Sequence, residues 1–377
     1  MIPLVDDPQV EFLFGNPANL SCLDTAFSDD VINEITAFST FLLKAQHSNA
    51  HSALGFWCRK SNVLAMKSDF KSFAQSSPKG LIFHITPANV DTVYFYSLIL
   101  SILCGNSNIV RISDRSGDEA YQLIDSLKRF LSQRPQSVLH ALICIVSYPS
   151  SAEELTRYFS ELCDMRVIWG GDDAIAKINQ QSPVTNQICF PDRFSIAVLH
   201  LESEAEIEDA AIRFTRDYVP FSQQACSSIK AVLWHKTSKS LQALFWQSLK
   251  DKVQYGDEAF SQTAQYNRLY NFQRLLLMHQ FSVENTYKSV AGLICEAAPF
   301  DLAILADHKG DGLLLSFELE NFDFATHAKL QTVSCFGLTT SELEKLSSHA
   351  LRVTPLGSAL TFNYLWDGEN LLMAFSN

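Results

Sequence analysis

Hydrophobic and polar positions follow no clear order up to residue 79, apart from one segment. Val31, Ile32, Ile35, Phe38, Phe41 and Leu42 stand near helical spacing, which predicts a helix over Phe27–Leu43. From residue 80 the pattern becomes regular. Gly80–Ile85 (GLIFHI) reads as a short apolar strand, followed by a turn carrying Thr86, Pro87, Ala88 and Asn89. An apolar helix over Val90–Cys104 comes next and is stopped by Gly105-Asn106. Asn108–Ile112 is the second strand. Ser116 and Glu119 have capping-box spacing, and the helix they open shows Ala120, Leu123, Ile124, Leu127 and Leu131 on one face. Ala141–Tyr148 is a third strand, and Ser151 and Glu154 repeat the capping-box spacing. Met165–Gly171 is a fourth strand ending in two glycines, a helix starts near Asp172, and Arg193–His200 is a fifth strand.

Strands and helices alternating every 25–30 residues or so predict parallel crossovers in an α/β, doubly wound, Rossmann-type sheet. Ligands of such sheets lie beyond the carboxyl ends of the strands. The residues found there are Asn89 after the first strand, Arg111, Ser113 and Asp114 at the end of the second, and Gly170 and Gly171 after the fourth. Helix starts and a glycine pair suit the phosphates of a dinucleotide, because free N–H groups and the helix dipole favour anions. Yet no GxGxxG fingerprint occurs, and glycine totals only 14 of 377 residues. On these grounds alone, a nucleotide site and a plain α/β core both stay open.

Composition narrows the class. The formal charge of −12 argues against a nucleic-acid binder. With 47% hydrophobic and 19% charged residues, the chain can build a real core. No apolar run reaches the length of a membrane span. The N-terminal stretch MIPLVDDPQVEF has acids where a secretory leader needs positive charge, so the expected location is cytoplasmic, with reduced cysteines. The nine cysteines show no CxxC spacing, which argues against structural zinc.

One cysteine differs from the rest. Cys226 lies in the polar run Ser222–Ser228 (SQQACSS), between two apolar stretches, and AVLW (Ala231–Trp234) then reads as a strand. Small and amide neighbours suit a partly open loop where a thiolate can act. The other eight read as packing residues. His84, inside a strand, reads as a satisfied core histidine, and Trp366-Asp367-Gly368 as a structural turn.

HITPANV with CGNSNIVRIS, then VIWGGDDAI, then FSQQACSS, together resemble the acyl-CoA reductases of the bacterial luminescence type, a branch of the aldehyde dehydrogenase superfamily. LQTVSCFGL and LRVTPLGSALTFNYLWDG are also similar, so the resemblance covers roughly residues 80–377. It implies an aldehyde-dehydrogenase-like fold with a second α/β catalytic domain. The organisation expected is a helical segment and cofactor domain over 1–200, a catalytic domain over 201–340, and a segment 341–377 returning to the cofactor domain or to an oligomer interface.

The resemblance makes Cys226 the nucleophile, with Gln224 at the place of a glutamine beside the substrate. It gives Asn89 to the oxyanion, Arg111, Ser113 and Asp114 to the adenosine ribose region, and Gly170 and Gly171 to the turn beside the pyrophosphate and nicotinamide. The superfamily binds its dinucleotide without GxGxxG, which removes that objection. Oxidising members carry a water-activating glutamate where Ile188–Ser195 has Cys189 and no glutamate. A second glutamate, for the nicotinamide ribose, has only Glu318 and Glu320 as candidates. The activity implied by the resemblance is an NADPH-dependent reduction of an acyl-CoA or acyl-carrier thioester to the aldehyde through an acyl-Cys226 enzyme. Arg111 favours NADPH over NADH by pairing with a 2′-phosphate, whereas Asp114 would repel it. An acyl-transferring partner protein and a homo-oligomer are further implications. An oxidative aldehyde dehydrogenase and a non-redox acyl-accepting subunit are the alternatives.

Overall fold

The computed structural model describes residues 8–44, 49–71, 77–86, 93–114, 116–254, 260–322 and 324–377. They fall into two units, residues 1–191 with 362–377, and residues 192–361.

The first unit is built on six strands: β1 (Glu11–Phe14), β2 (Leu81–Ile85), β3 (Ser107–Ile112), β4 (Ile143–Ser147), β5 (Met165–Trp169) and β6 (Gln187–Phe190). Their order is β1-β4-β3-β2-β5-β6. Only β1 runs antiparallel to its neighbour. The chain steps from β2 to β3 to β4, then crosses back to place β5 on the other side of β2. The strand order therefore reverses at β2, as in dinucleotide-binding sheets. Both faces are apolar. Ile82, Val110, Ile145 and Val167 pack toward the helices Asp29–Lys44, Val93–Leu103 and Asp118–Ser132. Their strand neighbours Phe83, Ile109, Cys144, Val146 and Ile168 pack with Leu155, Phe159 and Ile175 of the helices Glu153–Leu162 and Asp172–Gln181. Burying one such aliphatic side chain is worth about 1.5–3 kcal/mol.

The expected helix near Phe27–Leu43 forms over Asp29–Lys44, with Val31, Ile32, Ile35, Phe38 and Leu42 buried. Two helix starts differ from expectation. Gly117, not Ser116, is the N-cap of Asp118–Ser132, and Ala152, not Ser151, that of Glu153–Leu162. Neither cap makes a side-chain bond. Acids in the first turn (Asp118 and Glu119, Glu153 and Glu154) instead complement the helix dipole. Residues 362–377 complete this unit. Trp57 Nε1 donates to Phe362 O at 3.1 Å, and Asn106 Nδ2 to Phe375 O at 2.9 Å.

The second unit holds β7 (Phe194–Leu199), β8 (Ile229–His235), β9 (Ser282–Ser289), β10 (Gly292–Ala298), β11 (Leu313–Leu319), β12 (Leu330–Phe336) and β13 (Arg352–Pro355). The order is β13-β12-β7-β8-β11-β10-β9, parallel except for β9 against β10. This corrects one expectation. β7 is not the fifth strand of the cofactor sheet but a central strand of the second, and β6 takes the edge position in the first. An apolar strand buried on both faces suits either sheet, so the run itself carried no label. The Trp366-Asp367-Gly368 triplet is the expected turn. It joins β14 (Leu365–Trp366) to β15 (Glu369–Asn370), with Asp367 and Gly368 at φ 53° and 83°. Among the described residues no helix is long and apolar enough to cross a membrane, and no cluster of metal-ligating side chains occurs.

Candidate active site

The helix Ile207–Tyr218 ends before Pro220, and the chain then makes an uncommon turn. Phe221, Ser222 and Gln223 are all left-handed, with φ of 57°, 50° and 62°. Non-glycine residues there cost of order 1 kcal/mol or more each, so the surroundings must over-determine the conformation. Gln223 does this. Fully buried, it donates from Nε2 to Ile229 O (2.7 Å) and Leu313 O (2.6 Å), while Oε1 accepts from Gly312 N–H (2.8 Å). Asp311 N–H adds a bond to Ser222 O at 2.8 Å. Gly310, at φ 84°, lies so close that a Cβ would come within 2.5 Å of Gln223 O.

The turn after Gln224 carries Cys226. Ser228 N–H donates to Ala225 O at 3.0 Å, which puts Cys226 and Ser227 at the two central positions. Cys226 O accepts from Ser195 Oγ (2.8 Å), which accepts in turn from Thr332 N–H (3.2 Å). Ser227 Oγ donates to Gln331 Oε1 at 2.7 Å and accepts from Arg352 Nη2 at 3.3 Å. The Cys226 carbonyl is thus tied to β7, and the neighbouring Ser227 hydroxyl to Gln331 of β12 and Arg352 of β13. The cysteine itself is half-buried. Gln224 turns its amide toward Asp311, with Nε2 3.2 Å from Oδ1. Beneath the loop, Lys230 Nζ donates to His308 O at 2.8 Å.

The other cysteines contrast with this one. Cys58, Cys104, Cys144, Cys295 and Cys335 are buried, and burial raises each thiol, to about 12 for the last four. Cys163 and Cys189 are half-buried, and burial again leads their upward shifts. Cys22 departs from the packing role expected of it: it is exposed, 3.2 Å from Ser107 Oγ.

These geometries surround the residues that a family model recognises. That model, described as acyl-CoA reductase (LuxC), matches residues 61–261. The chain belongs to this acyl-CoA reductase family. Curated relatives include the long-chain acyl-protein thioester reductase 2 of Photobacterium leiognathi, 27% identical over 165 residues, which are 43% of this chain and 33% of the relative. The long-chain acyl-protein thioester reductase of Vibrio harveyi is 29% identical over 166 residues, 42% of this chain and 33% of its own. The match therefore spans about a third of either relative. Among solved structures, an NAD-dependent aldehyde dehydrogenase from Sinorhizobium meliloti superposes with a TM-score of 0.66 at 11% identity, covering 92% of this chain and 80% of that one. An NAD-dependent benzaldehyde dehydrogenase from Corynebacterium glutamicum gives 0.61 at 10%, covering 93% and 84%. The fold is that of the aldehyde dehydrogenases, as the sequence implied.

In this family member the first unit carries the expected cofactor residues. Asn89 lies outside the described residues. Arg111 is buried at the end of β3, where Nη2 donates to Tyr148 O (2.9 Å) and the guanidinium stacks over the Tyr148 ring (5.0 Å). Its Nε is buried and has no partner among the described residues. Ser113 is buried beside it, and Asp114 is exposed. Gly171 caps the helix Asp172–Gln181, whose first turn carries Asp172 and Asp173. A Cβ on Gly170 would meet Ala174 Cβ at 3.8 Å, an ordinary van der Waals contact. Glu318 is engaged by Lys239 Nζ and Gln242 Nε2, both at 2.8 Å. Sequence reasoning missed Gln223, Lys230, His308 and Asp311. The one readable sign was Lys230, a charge among the apolar residues from Ile229 to Trp234.

Proposed function

We propose that the chain reduces an acyl thioester to the aldehyde through an acyl-Cys226 enzyme. The observation that supports it most is the half-buried Cys226 in a turn held through its own carbonyl to β7 and through the Ser227 hydroxyl to β12 and β13. A nucleophile fixed in this way needs little reorganisation to reach an attacking geometry. The Cys226 thiolate adds to the carbonyl carbon of an acyl-CoA or acyl-protein thioester. The donor's sulfur leaves and takes a proton from solvent, and the acyl group stays on Cys226. Reduced nicotinamide dinucleotide, NADPH in preference to NADH, supplies the hydride when bound. Collapse of the hemithioacetal anion then releases aldehyde and returns the Cys226 thiolate.

The residues present fit such a cofactor. The strand order reverses at β2, and Arg111 has a buried Nε without a partner among the described residues, which suits an acceptor oxygen of a ribose or phosphate. Asp172 and Asp173 already supply the negative charge that their helix start favours, so the anion-binding role moves toward Arg111. In the stretch expected to hold a water-activating glutamate, β6 carries Cys189, whose thiol burial keeps neutral. A neutral thiol is a poor base for hydrolysing the acyl-enzyme, which favours reduction.

The test is intact-mass spectrometry after incubation with acyl-CoAs of several lengths, with and without NADPH. A thioester adduct on Cys226 that disappears on adding NADPH is the expected result. An adduct that NADPH leaves unchanged would support the non-redox acyl-accepting alternative. Aldehyde formation by Cys226→Ala would overturn the mechanism.

A further inference from the structure

Lys230 sits in β8, whose other positions from Ile229 to Trp234 are apolar and buried. It is only 8% exposed, and its Nζ donates to the carbonyl of His308. Among the described residues no carboxylate bonds to it. A buried ammonium without such a partner is costly, and its burial here lowers Lys230 to about 8. Cys226 lies four residues earlier in the chain, in the turn that leads into β8.

The charged groups facing this place come from several elements. Asp192 precedes β7, Lys329 precedes β12, and Arg352 lies on β13 and binds Ser227. The segment after Ala306 brings His308, Lys309 and Asp311. Burial, helped by Lys230, pushes the His308 imidazole well below its usual value, so it is neutral. Asp311 accepts from Gln224. Of the charges acting on Lys230, a Cys226 thiolate is the strongest, ahead of Lys309, Asp192 and Lys329.

We propose that Lys230 is a positioning residue whose fixed positive charge holds Cys226 as the thiolate. The inference deepens the reading above and rests on Cys226 being the nucleophile. A nearby cation favours the thiolate over the thiol, which in free cysteine ionises near ~8.5. Lys230 is protonated below about 8, so this support is present at neutral pH and fades above that value.

The experiment measures alkylation of Cys226 by iodoacetamide against pH, followed by peptide mass spectrometry so that other thiols do not interfere. It compares the wild type with Lys230→Gln, which keeps an N–H donor without the charge, and Lys230→Arg, which keeps the charge. The expected midpoint rises by about one pH unit or more in Lys230→Gln, a tenfold slower reaction at neutral pH, and returns in Lys230→Arg. Coincident midpoints in wild type and Lys230→Gln would overturn the proposal. Should Lys230→Gln not fold, the wild-type midpoint decides: below ~7.5 supports the proposal, and at or above the ordinary ~8.5 overturns it. If acyl-CoA fails to modify Cys226 while the midpoint still depends on Lys230, the acyl-enzyme reading falls and this one stands.

Discussion

Gly312 donates its backbone N–H to Gln223 Oε1 at 2.8 Å, and Gln223 returns two bonds from Nε2, to Leu313 O and Ile229 O. One buried amide therefore joins the left-handed turn before Cys226 to the starts of β8 and β11. It is the group that makes three consecutive left-handed residues tolerable. Removing it in Gln223→Ala leaves buried backbone groups without partners, at about 1–3 kcal/mol for each group. The expected loss is about 3 kcal/mol in urea unfolding. Gln223→Glu should also destabilise, because a carboxylate cannot donate to either carbonyl. A midpoint equal to wild type in both variants would show that the turn is held by something else.

Asp217 performs a comparable task further along the chain. It is 1% exposed and accepts from Gly357 N–H (2.7 Å), Ala359 N–H (2.8 Å) and Ser334 Oγ (3.0 Å). Burial pushes its carboxyl up, and these bonds offset only part of that rise. The held segment carries Ala359 O, an acceptor for Arg352, which also reaches Ser227 beside the nucleophile. Asp217→Asn keeps the shape but turns an NH2 group toward an N–H or hydroxyl donor. A loss of about 2 kcal/mol and slower acylation of Cys226 are expected. Denaturant unfolding and the adduct-formation rate measure the two effects separately.

Arg111 links the cofactor proposal to a measurable preference. One nitrogen is committed to Tyr148 O, and Nε has no partner among the described residues. If Nε donates to a 2′-phosphate, Arg111→Met should weaken NADPH binding by about tenfold or more, and NADH binding much less. Calorimetric titration with both dinucleotides measures the difference. Equal losses would move Arg111 from selecting the phosphate to holding a group that both cofactors share.

The sheets were legible in the sequence because buried parallel strands read as apolar runs, and Ile82–Ile85, Asn108–Ile112 and Ile143–Ser147 pair as expected. Membership of a sheet was not legible, since Phe194–Leu199 is apolar in the way any twice-covered strand is. Capping-box spacing at Ser116 and Ser151 misled because first-turn acids had already met the dipole. Cys226 stood out through its polar neighbours. The partners that shape its loop did not, because Gln223 meets Gly312 across 89 residues and Lys230 meets His308 across 78. Local pattern carries no information about such pairings.

His84 offers a test of the core beneath the cofactor end. It is fully buried in β2, with Nε2 2.9 Å from Asn108 Oδ1 and Nδ1 3.2 Å from Ser97 Oγ, as a satisfied core histidine should be. Burial, opposed only by the Asn108 bond, lowers its pKa to about 4 from 6.5. In the unfolded chain the ring takes up its proton near ~6.5. Between that pH and about 4 the unfolded state therefore binds a proton that the folded state refuses, and stability falls as the pH is lowered. Below about 4 both states are protonated and the loss is complete. The difference corresponds to about 3 kcal/mol from this one ring. Comparing urea unfolding at several pH values between 7 and 4 isolates it, because His84→Gln has no proton to take up there. Wild type should lose about 3 kcal/mol more than the variant across that window, and parallel curves would mean that His84 does not titrate as its burial requires.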